Sequence, residues 1–474
     1  MGDARRRGTP EQRKAEALGR LKTEFVSGLG VMDANRRQFL QAGLQPFLDR
    51  IGAEQWQVRR SLILQSLRDR APGPMLETAP SVRIRDDEIG WYLFLAQQAL
   101  DDPACTDISQ AQRILPFIVG LGSRWHHAGK VEGLHRKLGE LVHDYKQEPD
   151  GLLFEILVAL AYAEAGWQVT LIEEGPTKTA DMRVQRGSQE FFVECKRQER
   201  STDYALTERN LFLRQWDRAK PLLLANRQWI WMRGDFHVEL KDLPPSFLED
   251  VLRAGLPLRR QEEVLHDSEL ATIRARLIDR HAVRRHFDRY QVKANSPMLA
   301  KVLGGDWAPE NSATTIQHMV KTSHLAWCDV PVLGTYIADV AYASGFTREV
   351  DAEASIDKKA KDITKLLSKA VKQVPADRPS IIHVAAETME GAATERRRTE
   401  KVMARVPAFI TEKPVVAVRF HRLLGNQRSD LMFEMDETVD QFQIDGVDLT
   451  AVPHTVVVPS STPMRSGSHW NLYP

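Results

Sequence analysis

Apolar residues recur at helical spacing through the first 148 positions. RKAEALGRLKTEFVSGLG, RRQFLQAGLQPFLDRIG and EQWQVRRSLILQSLRDR each carry such a stripe, interrupted by Gly and Pro. DEIGWYLFLAQQAL and SQAQRILPFIVGLGSRW continue it, which predicts an N-terminal helical domain over 1–148. At Pro149-Asp150-Gly151 the pattern changes to alternating helix and strand. A helix LLFEILVALAYAEAG leads to strands WQVTLIEE, TADMRVQRG and QEFFVECKRQ, then a long helix within DYALTERNLFLRQWDRAKPLLLAN and the strand RQWIWMRGDFHVEL. Pro244-Pro245 closes this unit, which reads α-β-β-β-α-β over 149–245.

Residues 246–474 read as a mixed α/β region. LEDVLRAG and DSELATIRARLIDRHAVRRHFDRY predict helices. From about 356 a lysine-rich helix precedes the apolar strand SIIHVAAE, a helix around ERRRTEKVMARV, and the strands KPVVAVRFHRLL and DLMFEMDETV joined by the turn-like GNQRSD. These later strands are expected to extend the first sheet, a separate domain being the alternative.

Composition narrows the class. A chain of 474 residues exceeds one ordinary domain. Its 42% hydrophobic and 27% charged content is that of a folded protein, not a disordered tail. The net charge of +1 supplies no global basic field, so any surface for nucleic acid must be local. Cys105, Cys195 and Cys328 make neither a disulfide framework nor a zinc pattern, which fits a reducing cytoplasm. The N-terminus lacks the apolar core of a secretory signal. The most apolar run, 152–163, contains Glu155 and is too short to span a bilayer, so a cytoplasmic protein without a membrane partner is expected.

Three segments carry candidate chemistry. Asp181 opens a predicted strand, and thirteen residues later VECKR supplies Glu194 and Lys196. Strand side chains alternate, so Glu194 and Lys196 share one face while Val193 and Cys195 share the other. Phe191-Phe192-Val193 marks this strand as buried, where an unpartnered charge costs several kcal/mol. Asp181 and Glu194 on adjacent strands would form a hard carboxylate site for Mg²⁺ or Mn²⁺. Lys196 would orient the attacking water or balance phosphate charge. Glu155 lies in a helix apolar on nearly every side, which asks for a reason. It would serve as a second cation ligand or as a group orienting one. An exposed strand-edge salt bridge between Glu194 and Lys196 would leave both the apolar flank and Glu155 unaccounted for.

Glu155, Asp181 and the pair Glu194-Cys195-Lys196, in that element order, resemble the PD-(D/E)XK nuclease superfamily, the restriction-endonuclease-like fold. The resemblance covers about residues 150–240. It implies that Asp181 and Glu194 bind the cation, with Glu155 contributing as in many members, and that Lys196 assists the water. Ala180 stands where the motif has Pro, a position that shapes the turn and does no chemistry. The Gln-x-x-x-Tyr pattern of exonuclease-type members does not follow Lys196, which favours an endonuclease. The expectation is metal-dependent hydrolysis of nucleic-acid phosphodiesters, DNA foremost, and by analogy with the superfamily a role in bacterial defence. A homodimer or a protein partner would use the helical domain. The alternatives are a catalytically silent nucleic-acid-binding or scaffold protein on this fold, and a toxin-like nuclease that needs an activator.

Other signals are weaker. His127, His135 and His143 recur every eight residues, too far apart on a helix for one ion, and His281 and His286 are five apart. The glycine pairs in SGLGVMDANRR and VLGGDW lack phosphate-loop context, Arg396-Arg397-Arg398 reads as a solvated patch, and Trp56, Trp91, Trp125 and Trp216 read as core or interface. In DKKAKDITKLLSKAVKQV a buried stripe of Ala360, Ile363, Leu367, Ala370 and Val374 is expected. It leaves Lys358, Lys359, Lys361, Lys365, Lys369 and Lys372 against Asp357 and Asp362. A solvated face and phosphate contact through Lys358, Lys361, Lys365 and Lys369 both remain open.

Overall fold

The computed structural model describes residues 16, 19, 32–69, 84, 86–173, 175, 179–198, 202–294, 296–305, 313–409, 411–427, 433–443 and 448–471. Apart from positions 16 and 19, the expected first helix lies outside the described residues, as does the second half of the turn GNQRSD. The other four N-terminal helices form at Ala34–Ile51, Ala53–Asp69, Glu88–Asp101 and Ile108–Arg124. Asp33, Asp87 and Asp107 cap three of them by accepting the N–H of Arg36, Gly90 and Gln110, donors a helix start otherwise leaves unpaired. No helix among the described residues is long and apolar enough to cross a membrane.

The strands, in chain order, are β1 (Val131–Glu132), β2 (Gln168–Leu171), β3 (Met182–Arg186), β4 (Gln189–Arg197), β5 (Ile230–Phe236), β6 (Glu262–Asp267), β7 (Ala271–Leu277), β8 (Ala313–His324), β9 (Thr335–Val350), β10 (Ser380–Glu387), β11 (Val415–Gln427) and β12 (Phe433–Gln443). They build two mixed sheets, so the chain is of mixed α/β class. The first runs β1-β2-β3-β4-β10-β11-β12 and the second β6-β7-β5-β9-β8. The late strands β10, β11 and β12 thus extend the first sheet.

One expectation is corrected. The strand at 230–236 does not close the unit begun at residue 150; it lies in the second sheet between β7 and β9. The parallel neighbour of β4 is β10, reached through the crossover helix Thr364–Gln373. Residues 198–363, with the helix Asp203–Asn226, intervene. A parallel pairing needs a crossover but sets no upper limit on its length, so nearness in sequence could not choose between β5 and β10. A second correction concerns 267–290, expected to be helical. Ala271–Leu277 is a strand with Ala271, Ile273 and Ala275 buried at period two, and the helix is confined to Arg280–Phe287. The lysine-rich helix is likewise two pieces, Glu353–Lys359 and Thr364–Gln373, although its expected apolar stripe is fully buried.

The helix Asp150–Glu164 lies against one face of the first sheet. Its Leu153, Phe154, Ile156, Leu157 and Leu160 join Phe191 and Val193 in a cluster that also takes in the N-terminal helices. Each such side chain contributes about 1.5–3 kcal/mol, so this helix is held far more firmly than one buried carboxylate could loosen it. Ile363, Leu367, Ala370 and Val402 cover the opposite face over Ile382, Val384 and Phe420.

Candidate functional site

β4 outlasts its neighbour. β3 begins at Met182, opposite Val193, whereas β4 continues to Arg197 with β10 on its other edge. The notch so formed is filled by Asp181, whose Oδ2 accepts the Cys195 N–H at 2.6 Å. A side-chain oxygen takes the place of a strand carbonyl and satisfies a donor that would otherwise be stranded.

Glu194 is paired in register with Ile382, on the face toward the helix Thr364–Gln373. It is 0% exposed. Its Oε1 accepts from Lys196 Nζ, and its Oε2 is buried with no hydrogen-bond partner among the described residues. Lys196 follows two residues on along the same face, as strand alternation requires.

Glu155 comes from the helix on the opposite face. Tyr162, two turns later, fixes how that helix is rotated: its hydroxyl meets His383 Nε2 at 3.1 Å, and His383 sits beside Cys195 in register. His383 Nδ1 lies 2.9 Å from His421 Nε2, and His421 Nδ1 lies 2.8 Å from Glu437 Oε1. Glu437 in turn accepts the backbone N–H groups of Val456, Val457 and Val458. This buried chain ties helix, sheet and C-terminal segment together on the side from which Glu155 approaches.

Lys137, absent from the sequence expectations, pairs with Glu155: its Nζ lies 3.1 Å from Oε1, and 3.6 Å from Glu140 Oε2. Both Lys137 and Glu155 are buried. The sequence did hold a signal, since Lys137 sits among Leu134, Leu138, Leu141 and Val142 on the buried stripe of the helix Leu134–His143. Arg197 was missed as well. It ends the Phe191-Val193-Cys195 face, where its guanidinium lies 4.9 Å from the Phe117 ring and pairs with Glu387. Arg113 bridges Glu387 at 2.8 Å and Asp150 at 3.0 Å, locking the N-terminal helices to the ends of β4 and β10.

The charges of the site act on one another. Burial, then the Asp181 charge, pushes Glu155 up to about 8 against the pull of Lys137. Burial and Asp181 push Glu194 up to about 8 too, against Lys196, and Glu155 adds to the effect. Burial disfavours the charged form of Lys196, but Glu194 and Asp181 outweigh it and raise its pKa. Lys137 is raised in the same way by Glu155, Glu140 and Asp181 against its burial. The Asp181 charge thus bears on both Glu155 and the Glu194-Lys196 pair, and Glu155 also acts on Glu194 directly.

As the side chains stand, no three His, Cys, Asp or Glu groups among the described residues form a ready cage for a cation. The donor set nevertheless suits a hard divalent ion: three carboxylates against two lysines, one of them with a buried and unpartnered oxygen. The structure joins Asp181 to the strand that bears Glu194 and Lys196, while Glu155, from the helix on the other face, acts on Asp181 and Glu194 only through its charge. Lys358 is exposed, with its Nζ engaged by Glu239 and 5.2 Å from the Tyr204 ring. Lys359 is buried against Glu208 at 3.0 Å. Lys361, Lys365 and Lys369 are exposed. Compared with protein-family models, curated proteins and solved structures, the chain finds no match.

Proposed function

We propose that this chain is a Mg²⁺- or Mn²⁺-dependent nuclease of the PD-(D/E)XK type, hydrolysing nucleic-acid phosphodiesters and acting on DNA foremost as an endonuclease. The observation that carries the reading is the Asp181-Cys195 hydrogen bond. It pins a carboxylate against the very strand that bears Glu194 and Lys196, in a notch that Glu155 also reaches electrostatically. A helix, a three-strand meander and a crossover helix leading to a strand parallel with β4 give the element order that this reading requires, with residues 198–363 inserted before the crossover.

Asp181 and Glu194 would hold the cation, and Glu155 would join them or orient one of them. Bound there, the cation supplies Lewis-acid stabilisation of the charge that develops on phosphate oxygens. Lys196 has three N–H donors and gives one to Glu194 Oε1, leaving two for a phosphate oxygen and for the water that attacks it. The raised pKa keeps Lys196 protonated for this work. Lys137 keeps Glu155 paired while the carboxylates stand alone.

Plasmid incubated with the protein should be cut in Mg²⁺ and left intact in EDTA. Lys196→Ala should slow cutting by at least about a hundredfold, the usual loss when a positioned donor to developing charge is removed. The fold should survive, because Glu194 can take up a proton when its partner is gone. Robust cutting in chelator, or wild-type turnover by the variant, would end the proposal.

A further inference from the structure

The second sheet carries a basic surface that the nuclease site does not use. From Arg274 to Arg289 six arginines stand against Asp279 and Asp288, while the whole chain carries only +1. Much of this charge lies on the helix Arg280–Phe287 and the turn after it. Val283 is the buried residue of that helix, packing in one cluster with Trp229, Ile278 and Leu303. Anchoring on Val283 leaves Arg280, Arg284, Arg285 and Arg289 exposed. Arg280 lies 4.8 Å from the Trp229 ring, and Arg285 meets Asp279 only at 3.9 Å with both side chains largely solvated. Such a pair contributes about 1 kcal/mol at most and leaves the arginine free to find a better acceptor.

An aromatic stands among these charges. Tyr290 is 39% exposed, and its ring rests against that of His286 with centroids 4.8 Å apart. Its backbone N–H returns to His286 O at 2.9 Å, so the residue is held on the helix end. Exposed arginines beside a supported aromatic ring suit a partner with regularly spaced anions and flat apolar faces. Unpaired nucleic acid uses both, its phosphates meeting the arginines and a base stacking on the ring.

We infer that the segment Arg280–Tyr290 docks single-stranded nucleic acid, with phosphates on Arg284, Arg285 and Arg289 and a base stacked on Tyr290. The inference names the substrate form for the nuclease reading and rests on it only for the class of partner.

The test is fluorescence anisotropy with a labelled oligothymidylate of about 20 nucleotides, long enough to cover a single-strand site, in EDTA and over a range of salt. Replacing Arg284, Arg285 and Arg289 together by Gln should weaken binding more than about tenfold and make the log–log salt slope shallower by about two units, since each single-strand phosphate contact contributes about 0.7. Tyr290→Ala should weaken binding at least about fivefold with the slope unchanged, and Tyr290→Phe should keep it, because stacking needs the ring and not the hydroxyl. A duplex of the same length should bind more weakly and be indifferent to Tyr290→Ala. Coincident slopes for wild type and the three-arginine variant would overturn the proposal, as would a silent Tyr290→Ala. Equal arginine-dependent binding to polyglutamate or to phosphatidylserine vesicles would overturn it in favour of an acidic protein or a membrane. The nuclease reading fails separately: arginine-dependent binding without any Mg²⁺-dependent cutting would sink that reading and leave this one standing.

Discussion

Asp181 Oδ2 accepts the backbone N–H of Cys195 at 2.6 Å, so the aspartate does by side chain what a neighbouring strand would do by its backbone. The residue proposed as a cation ligand is also a structural plug, and two substitutions separate the roles. Asp181→Asn keeps an oxygen for the Cys195 N–H and removes the charge. Its melting temperature should stay near that of wild type while Mn²⁺ affinity, read by calorimetry, drops clearly. Asp181→Ala removes the acceptor too and should cost about 1–3 kcal/mol of stability for the orphaned donor. An Asn variant that binds Mn²⁺ as wild type does would take Asp181 out of the ligand set.

Lys137 and Glu155 should behave as a coupled pair. Lys137→Met strands a buried carboxylate, normally a loss of about 3–5 kcal/mol, reduced here because Glu155 lies high enough in pKa to take up a proton. Glu155→Gln should cost less, since Lys137 still has Glu140 at 3.6 Å. The double variant should recover much of the stability lost by Lys137→Met. Chemical denaturation of the four proteins measures the coupling directly, and strict additivity would mean that the pair does not hold the site.

The raised carboxylates set a pH dependence with a definite sign. Glu155 and Glu194 move from an ordinary 4.5 to about 8 on folding, so between those values the folded state binds more protons than the unfolded one. The stability they contribute is fully present below about pH 4.5 and is lost as pH rises through about 8. In EDTA the wild type should therefore lose stability relative to a Glu155→Gln, Glu194→Gln variant as pH climbs through this window. Mg²⁺ should offset the loss in wild type alone. Melting curves for the two proteins that stay parallel across the range would contradict the assigned carboxylates.

The crossover helix Thr364–Gln373 and the residues before it expose Lys361, Lys365 and Lys369, whereas Lys358 is engaged by Glu239. If these three follow the substrate backbone, changing them to Gln should lower affinity for all sequences alike and flatten the salt slope by about one unit per lost contact. Glutamine is close to lysine in helix propensity, so folding should be unaffected. Unchanged slopes would mark the helix as plain solvated surface.

Local pattern was enough to find most elements and to single out Glu155, Asp181, Glu194 and Lys196 as candidates. Phe191-Phe192-Val193 marked β4 as buried, period two put Glu194 and Lys196 on one face, and Glu155 stood out because its helix is apolar nearly all round. These are properties of neighbours within a few positions, where backbone geometry alone dictates which side chains share a face. Lys137 was legible by the same rule, on the buried stripe of its own helix, but a long alkyl stem makes lysine unremarkable there until a partner is known.

What local pattern could not decide was pairing between distant segments. β5 and β10 are both apolar strands that follow a helix, and only the packed sheet shows that β10 lies beside β4, with Glu194 opposite Ile382, while β5 joins β7 and β9. The short alternation Ala271-Ile273-Ala275 fitted a helix until β5 and β6 flanked it. The Asp181 plug, the Tyr162-His383-His421-Glu437 chain and the Arg113-Glu387-Arg197 bridge each join residues from separate elements. Burial makes their polar atoms seek partners, and which partner each one finds depends on how the elements pack. Spacing along the chain carries no record of that choice.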